Sequence, residues 1–211
     1  MAMAAAESHL MTLIRAIIVG DEAAALRFLA TSPALVTARL EDGATRQAAK
    51  AHYLDEIEHY AYAGDTALHM AAAAYRETIA RRLIAAGADI RARNRRGAEP
   101  LHYAVEGAPG SRRWNPPAQA ATVACLIEAG ADPNAVDQGG VTPLHRAVRN
   151  RCASAVRALL DGGADARRKN KHGSTPMQLA IQNTGRGGTG SPEAKAQQEE
   201  IVSLLKQSRG N

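Results

Sequence analysis

A unit of about 33 residues recurs along this chain, and it constrains the fold more than any other feature of the sequence. The starts of four units are marked by glycines spaced 33, 43 and 33 residues apart, namely Gly64, Gly97, Gly140 and Gly173. A unit this short holds one pair of helices and cannot bury an apolar face alone, so it needs neighbours on both sides. The repetition therefore predicts an elongated stack of similar units with one continuous apolar core.

The unit that begins at Gly140 shows most clearly why each segment folds as it does. Thr142 is a favourable N-cap for a first helix, and Pro143 suits the first helical position because its missing N–H costs nothing there. A second helix over about residues 153–160 has its larger apolar side chains on one face, and a Gly-Gly pair ends it. Residues 166–172 are polar and have no helical period, so they predict a protruding β-turn finger.

Two short motifs recur in the same place in successive units. A Leu-His pair lies at the start of the first helix, at Leu68-His69, Leu101-His102 and Leu144-His145. A Gly-Ala-Asp triplet follows the second helix, at residues 87–89, 130–132 and 163–165. Together with Thr142-Pro143, these motifs resemble the ankyrin repeat over residues 64–207, with residues 8–40 as a degenerate cap. The resemblance implies an all-α solenoid of stacked helix-turn-helix units, with protruding β-turn fingers and a capping repeat at each end.

The repeats organise the whole chain into one expected domain, residues 1–211. Its successive parts are an N-terminal capping repeat, a helical insertion, three ankyrin repeats and a C-terminal capping repeat with a Gly-rich insertion, over residues 8–40, 41–63, 64–96, 97–139, 140–172 and 173–207. Within the first insertion, the apolar spacing predicts a helix over residues 47–59. That helix either packs on the edge of the solenoid or forms part of a binding wall.

Composition and charge narrow the class of protein. Only 3% of the residues are aromatic, which fits helices packed closely through small side chains, and the formal net charge is +5. Arginine far outnumbers lysine, which indicates a GC-rich, bacterial gene. Cys125 and Cys152 fall in predicted helical regions, so we expect buried reduced thiols rather than a disulfide. No apolar run approaches the ~18 residues needed to span a membrane, and no signal peptide is expected, so the predicted location is cytoplasmic.

The three repeated histidines, His69, His102 and His145, do not predict a metal site. Successive units stack about 10 Å apart, which is too far for one ion whose histidine ligands lie at about 2 Å. In the ankyrin family this histidine bridges neighbouring repeats through hydrogen bonds. The sequence also lacks a clustered Ser/His/Asp or Cys/His arrangement, so we expect no catalytic residue, no metal, no cofactor and no enzymatic activity.

The resemblance also implies where a protein partner binds. In the family, partner contacts come from residues around the finger tips and from the exposed side of the first helix. Matched position by position, the implied partner-binding residues are Tyr62, Asp65, Arg95, Arg96, Glu106, Gln138, Arg149, Asn150, Lys171, His172 and Gln182. Insertions interrupt the second and the last of the matching units, so they could close or extend the concave surface on which the family binds its partners.

The turns between the two helices of successive repeats predict a basic edge. These turns contribute Arg112, Arg113 and Trp114, then Arg149 and Arg151, then Arg186. The charge either only solvates the surface, or binds an acidic protein partner, or binds nucleic acid or another polyanion. Arg186 lies in the run Gly185–Gly190, which is a flexible connector or, alternatively, an anion-binding loop.

Three functional hypotheses follow from these patterns. The first is a monomeric, non-catalytic protein–protein interaction module, an adaptor or modulator that binds through its concave face, finger tips and basic turns. The alternative is a binder of nucleic acid or another polyanion through the arginine-rich edge. An enzyme or small-molecule site built by the insertions around Trp114 and Gly185–Gly190 is the third, and it needs a clustered acid or base that the sequence does not show.

Overall fold

A computed structural model describes the backbone of residues 2–182 and 191–208, and the side chains within those ranges from residue 9 onward. Its α-helices are α1 (Ala2–Val19), α2 (Glu22–Thr31), α3 (Ala67–Ala73), α4 (Glu77–Ala85), α5 (Pro100–Ala104), α6 (Pro116–Glu128), α7 (Pro143–Arg149), α8 (Ala153–Asp161), α9 (Pro176–Ile181) and α10 (Pro192–Gln207). Short 3-10 turns cover Pro33–Val36, Lys50–His52 and Asp55–Ile57, and a hairpin pairs β1 (Tyr53–Leu54) with β2 (His59–Tyr60). The predicted all-α solenoid is confirmed. None of the helices just given has both the length and the apolar character that crossing a membrane requires.

The first helices of the repeats begin where the sequence places their N-caps. The Thr142 hydroxyl accepts from the His145 backbone amide, and the His145 ring accepts from the Thr142 amide. Glu99 replaces the threonine at the start of α5, and its backbone amide donates to the His102 ring across 3.2 Å. The substitution is accommodated because a negative charge is favourable at the start of a helix.

Each repeated histidine also ties its unit to the next one. The Nε2 atoms lie 3.2, 3.1 and 3.0 Å from backbone carbonyl oxygens of the following unit, for the pairs His69–Ala98, His102–Val141 and His145–Ser174. Because a carbonyl only accepts, Nε2 carries the proton and donates, which leaves Nδ1 available to accept from the N-cap amide. The predicted bridging role of these histidines is confirmed.

One apolar core runs through the stack, from Leu13 in α1 to Leu204 in α10. The first helices pack on one another in the order α1, α3, α5, α7 and α9, and the second helices α4, α6, α8 and α10 form a parallel row. Cys125 and Cys152 are buried as reduced thiols, as predicted. Burial raises the pKa of the Cys152 thiol to about 12, so this side chain packs as a small apolar group.

The predicted helix over residues 47–59 is wrong, because this segment forms turns and a hairpin instead. The strands pair antiparallel, with Tyr53 opposite Tyr60 and their ring centroids 4.8 Å apart. Glu58 adopts the left-handed backbone region at φ 47°, which turns the chain between the strands. Tyrosines favour a half-buried strand, and this cross-strand pair outweighs the helical spacing of the apolar residues.

Backbone hydrogen bonds join each finger tip to the next one. The donor amides belong to Arg95, Gln138 and Lys171, and they lie 2.8, 3.0 and 3.2 Å from the carbonyl oxygens of Ala63, Arg96 and Gly139. Each donor lies two residues before the glycine of its own finger, and each acceptor lies one residue before the glycine of the preceding finger. The fingers therefore form a regular ladder along one edge of the stack.

Candidate functional site

A groove of about 400 Å³ lies between the β1–β2 hairpin, the finger tips and the first helices α5 and α7. Its lining includes six residues that the sequence predicts to contact a partner: Tyr62, Arg96, Glu106, Gln138, Arg149 and Asn150. These residues come from the insertion, from two fingers and from the ends of two helices. Stacking of the repeats thus brings together positions that are far apart in the sequence.

The floor of the groove is a chain of alternating charges. The His59 Nε2 atom lies 2.9 Å from one carboxylate oxygen of Glu106, and Arg146 Nη1 lies 2.5 Å from the other. Arg146 Nη2 lies 2.8 Å from a carboxylate oxygen of Asp137. The His59, Arg146 and Asp137 side chains are only 9%, 7% and 11% exposed, so salt screens these pairs less than pairs on the surface. The chain of charges holds the hairpin, the segment that follows α5, α7 and one finger to one another.

Pairing keeps these groups charged despite their burial. Burial alone disfavours the imidazolium form of His59, but the Glu106 carboxylate outweighs burial and raises the pKa of His59. Burial likewise opposes ionisation of Glu106, yet His59 and Arg146 lower the pKa of this carboxyl well below its ordinary value. Burial also opposes ionisation of Asp137, and the hydrogen bond from Arg146 is a main reason why the pKa of Asp137 is nevertheless lowered. The floor is therefore a fixed polar surface whose charges neutralise one another.

Asp65 lies beneath this floor and is not available to a partner, which corrects the prediction for this residue. Its side chain is 0% exposed, and the Tyr103 hydroxyl lies 2.8 and 2.9 Å from its two carboxylate oxygens. The Asn94 side-chain amide donates to the same carboxylate across 2.8 Å, and the Tyr62 backbone amide donates across 2.7 Å. A buried carboxylate is tolerated only when it is hydrogen-bonded, so Asp65 fastens a finger to α5.

The rim of the groove carries exposed arginines beside an aromatic ring. The Arg96 guanidinium lies 5.0 Å from the centroid of the Tyr62 ring and donates to the Tyr62 hydroxyl across 2.8 Å. The Arg95 guanidinium lies 5.8 Å from the same centroid and donates to the backbone carbonyl of Ala44. Both arginines are exposed, so these cation–π contacts orient them while their charge still faces solvent.

A smaller cavity of about 170 Å³ adjoins the groove at Glu106 and is lined on its other side by Trp114. The Arg113 guanidinium lines the same cavity and donates to the backbone carbonyls of Ile57 and Ala73. One of these carbonyls belongs to the insertion and the other to α3. Arg113 therefore holds the insertion against the stack, and both of its terminal guanidinium nitrogens donate there.

The predicted basic edge is not continuous in the described part of the chain. Arg151 is only 3% exposed and adopts the left-handed backbone region at φ 59°, so its guanidinium is withdrawn from solvent. Arg112 and Arg149 are exposed, whereas Arg186 lies outside the described residues. With Arg113 also turned inward, two exposed arginines stand where the sequence predicts a longer run.

The remaining predicted contact residues lie away from the groove. Lys171 and His172 are exposed on the last finger, and Gln182 is exposed just after α9. Across residues 2–182 and 191–208, no group of histidine, cysteine, aspartate and glutamate side chains is arranged to hold a metal ion.

Sequence reasoning missed three residues of the floor, His59, Arg146 and Asp137. Arg146 directly follows the repeat histidine, and the same position holds Met70 and Tyr103 in the preceding units. All three are buried, and Tyr103 and Arg146 both line the groove. The position directly after the repeat histidine could therefore have predicted that Arg146 belongs to the groove. His59 lies in the insertion, outside the repeat pattern, and offers no comparable signal.

Comparison with known protein families gives one result along the chain. The family model described as "Ankyrin repeats (3 copies)" matches residues 3–112, which is more than half of the 211 residues. The models described as "Ankyrin repeat" and "Ankyrin repeats (many copies)" match residues 96–138 and 126–180. The matched segments overlap and run without a gap from residue 3 to residue 180. No curated protein matches the chain.

Proposed function

The chain belongs to the ankyrin-repeat family, and we propose that it is a non-catalytic module that binds a protein partner in the groove beside Tyr62 and Arg96. Ankyrin repeats are generally protein–protein interaction modules. In this proposal the chain acts in the cytoplasm, as a monomer, and serves as an adaptor or modulator of its partner.

The groove is the observation that supports this proposal. Its floor is already ordered by the ion pairs of His59, Glu106 and Arg146, so little conformational freedom is lost there when a partner binds. Its rim presents Tyr62 and Arg96, and tyrosine and arginine are among the residue types that contribute most binding energy at interfaces.

The charge of the rim favours an acidic segment of the partner. Arg95 and Arg96 are exposed on the finger side, and Arg149 is exposed on the helix side. The acidic groups of the floor are already paired inside the groove, whereas Glu58 on the hairpin is exposed. We therefore expect the partner's carboxylates on the finger side. Opposite charges at a rim mainly accelerate association, so added salt is expected to slow binding.

A polyanion is a weaker candidate than a protein. The inward orientation of Arg113 and Arg151 removes two of the positive charges that the basic edge would have offered. Capture that depends on nucleic acid would favour this candidate instead.

Affinity capture from the native host's extract, followed by calorimetry with the purified captured protein, tests this proposal. The chain is compared with a groove variant, Tyr62→Ala combined with Arg149→Glu. The matched control is Arg112→Glu, which reverses an exposed arginine that does not line the groove. All three baits are used with and without nuclease.

A partner that survives nuclease, binds the control bait and is lost from the groove variant supports the proposal. Equal affinity of the partner for the chain and the groove variant contradicts it, and so does capture that nuclease abolishes.

A further inference from the structure

The repeat glycines show how closely each finger lies against the next. A methyl group added at Gly64, Gly97 or Gly140 would lie only 2.9, 3.1 or 2.9 Å from the backbone of the following finger. Gly173 has the same left-handed backbone, at φ 78°, yet no atom of the described residues lies within 4 Å of that position. No described residue therefore fills the place that a following finger would occupy beside the last finger.

The carbonyl of His172 is the acceptor at this open place. It precedes Gly173 just as the accepting carbonyls of the ladder precede their own glycines. Within the described part of the chain, no group donates to it. The finger itself has a fixed shape, because the Asn170 side chain accepts from the amides of His172 and Ser174 across 2.9 and 3.1 Å. Among the residues that the structure describes, the last finger thus presents an ordered, unpaired edge, as an edge strand does in a sheet.

Positive charge surrounds this edge. Arg168, Lys169 and Lys171 are exposed on the finger, and the exposed His172 lies beside them. The acidic residue of the preceding finger, Asp137, is engaged with Arg146 and does not neutralise them. An incoming segment therefore meets a backbone acceptor within a basic surface.

We propose that this edge is a second interaction surface, where an acidic, extended segment of a partner protein continues the ladder. A backbone amide of the segment donates to the His172 carbonyl, as the Lys171 amide donates to Gly139. The carboxylates of the segment lie beside Lys169 and Lys171. In this mode of recognition, main-chain hydrogen bonds give affinity and the side chains give specificity. This surface is separate from the groove, so the proposal goes beyond the proposed function. The two proposals share only the premise that the partner is a protein.

The charge of the edge favours an acidic segment of a partner over a finger from a second copy of the chain. A finger from a second copy would bring residues such as Arg95 or Lys171 against the basic surface, and like charges repel. An acidic segment is attracted instead, and it supplies the same backbone donor.

Fluorescence polarisation with synthetic peptides tests the proposal on the full chain. The probe is a fluorescein-labelled peptide of alternating glutamate and threonine, since threonine favours extended backbone. Two matched peptides carry lysine in place of glutamate, or N-methylated amides that cannot donate. We expect only the first peptide to bind. Equal binding of the N-methylated peptide would overturn the proposal, because charge alone would then explain the affinity.

A glycine variant locates the binding site. Gly173→Asn places a side chain in the open space, and asparagine tolerates the left-handed backbone. We expect the variant to keep its Tm within a few degrees and to weaken peptide binding by about fivefold or more, since one backbone hydrogen bond is lost. The matched control is Gly87→Asn, at the end of α4, where φ is 95° and the space is equally open. Unchanged binding by Gly173→Asn, with a fold that is intact by circular dichroism, would overturn the assignment.

Two further measurements separate this surface from the groove and from self-association. The groove variant, Tyr62→Ala with Arg149→Glu, is expected to bind the peptide as the wild type does, so failure of either proposal leaves the other standing. Sedimentation without peptide is expected to show no association that depends on Gly173. Self-association abolished by Gly173→Asn would assign the edge to a second copy and overturn the proposal.

Discussion

The Nη1 atom of Arg146 lies 2.5 Å from Oε1 of Glu106, and this ion pair joins α7 to the segment that follows α5. The other carboxylate oxygen of Glu106 pairs with the His59 ring from the hairpin. One carboxylate therefore links two neighbouring repeats and the insertion. The shape of the groove therefore depends on a charged contact as well as on apolar packing.

Glu106→Gln is expected to destabilise the fold, because it leaves His59 and Arg146 with one fewer counter-charge. Breaking a buried pair costs about 3–5 kcal/mol, and the Glu106 side chain is 31% exposed, so we expect about 1–3 kcal/mol. Urea denaturation measures this loss as a lower midpoint. The hairpin, residues 53–60, is also expected to exchange its amide hydrogens faster than in the wild type.

A surface glutamate provides the control for that variant. Glu128 pairs with Arg81 but is 65% exposed, so Glu128→Gln is expected to cost less than about 1 kcal/mol. Equal losses from both glutamine variants would show that the Glu106 pairs contribute no more than surface charges do.

The hairpin is expected to loosen as the pH rises. The pKa of His59 is raised above its unfolded value because Glu106, with a smaller contribution from Asp65, outweighs the effect of burial. A group whose folded pKa is raised contributes its full stabilisation below the unfolded pKa, about 6.5, and loses it as the pH rises through the folded pKa. An NMR titration of the His59 imidazole, recorded with amide exchange of β1 and β2, measures both. A His59 midpoint at or below the unfolded value would contradict this expectation, and Glu106→Gln should produce that lower midpoint.

Acid is expected to destabilise the stack through the bridging histidines. Burial, reinforced by the Arg146 charge, lowers the pKa of His102 to about 3, and burial also lowers the pKa of His69 and of His145. The unfolded chain therefore binds more protons below pH 6.5, and stability falls there by up to about 1.4 kcal/mol per pH unit for each histidine. The midpoint of urea denaturation is expected to drop between pH 6.5 and pH 5, because the unfolded histidines take up protons there while burial opposes protonation of the three bridging histidines in the folded chain.

A glutamine variant isolates one histidine. Gln178 already occupies the equivalent position in α9, where its side chain accepts from the Thr175 amide across 2.8 Å. His102→Gln is thus expected to keep the helix cap. It is also expected to make the free energy of unfolding depend less steeply on pH, because one histidine that titrates only in the unfolded state has been removed. An unchanged slope would mean that His102 is not responsible for the acid sensitivity.

Glycines of the finger ladder are expected to differ sharply in their tolerance of a side chain. Gly140→Asn would place Cβ 2.9 Å from the Lys171 amide nitrogen, so the fingers must separate. We expect a loss of about 1–3 kcal/mol there, against less than about 1 kcal/mol for Gly173→Asn, which bears only the cost of the left-handed backbone. Thermal unfolding of the two variants measures the difference. Equal Tm values would contradict the close approach of the fingers.

The helices of the repeats could be predicted because their signals are local. Thr142, Pro143 and the glycine pair after α8 act on neighbouring backbone groups, so the sequence alone fixes where those helices begin and end. The helix predicted over residues 47–59 was wrong because these residues do have a helical apolar spacing. The structure of the segment is decided instead by the Tyr53–Tyr60 pair, which joins two strands across a turn. Periodicity cannot report a contact that depends on a turn.

The groove could be predicted only in part, for the same reason. Tyr62, Arg96, Gln138, Arg149 and Asn150 occupy repeat positions that the family pattern aligns, and they line one groove. The burial of Asp65 and Arg151 and the inward orientation of Arg113 depend instead on partners or packing from other parts of the chain, which no local spacing encodes.

Hydrogen exchange of the chain, with and without its captured partner, shows where the partner binds. We expect slower exchange in the segments that border the groove, residues 58–62, 94–98, 137–141 and 146–150. Residues 77–85 in α4 and 116–128 in α6 should be unchanged, since they belong to the second row of helices. Protection confined to that second row, with the groove segments unaffected, would contradict the claim that this groove binds the partner.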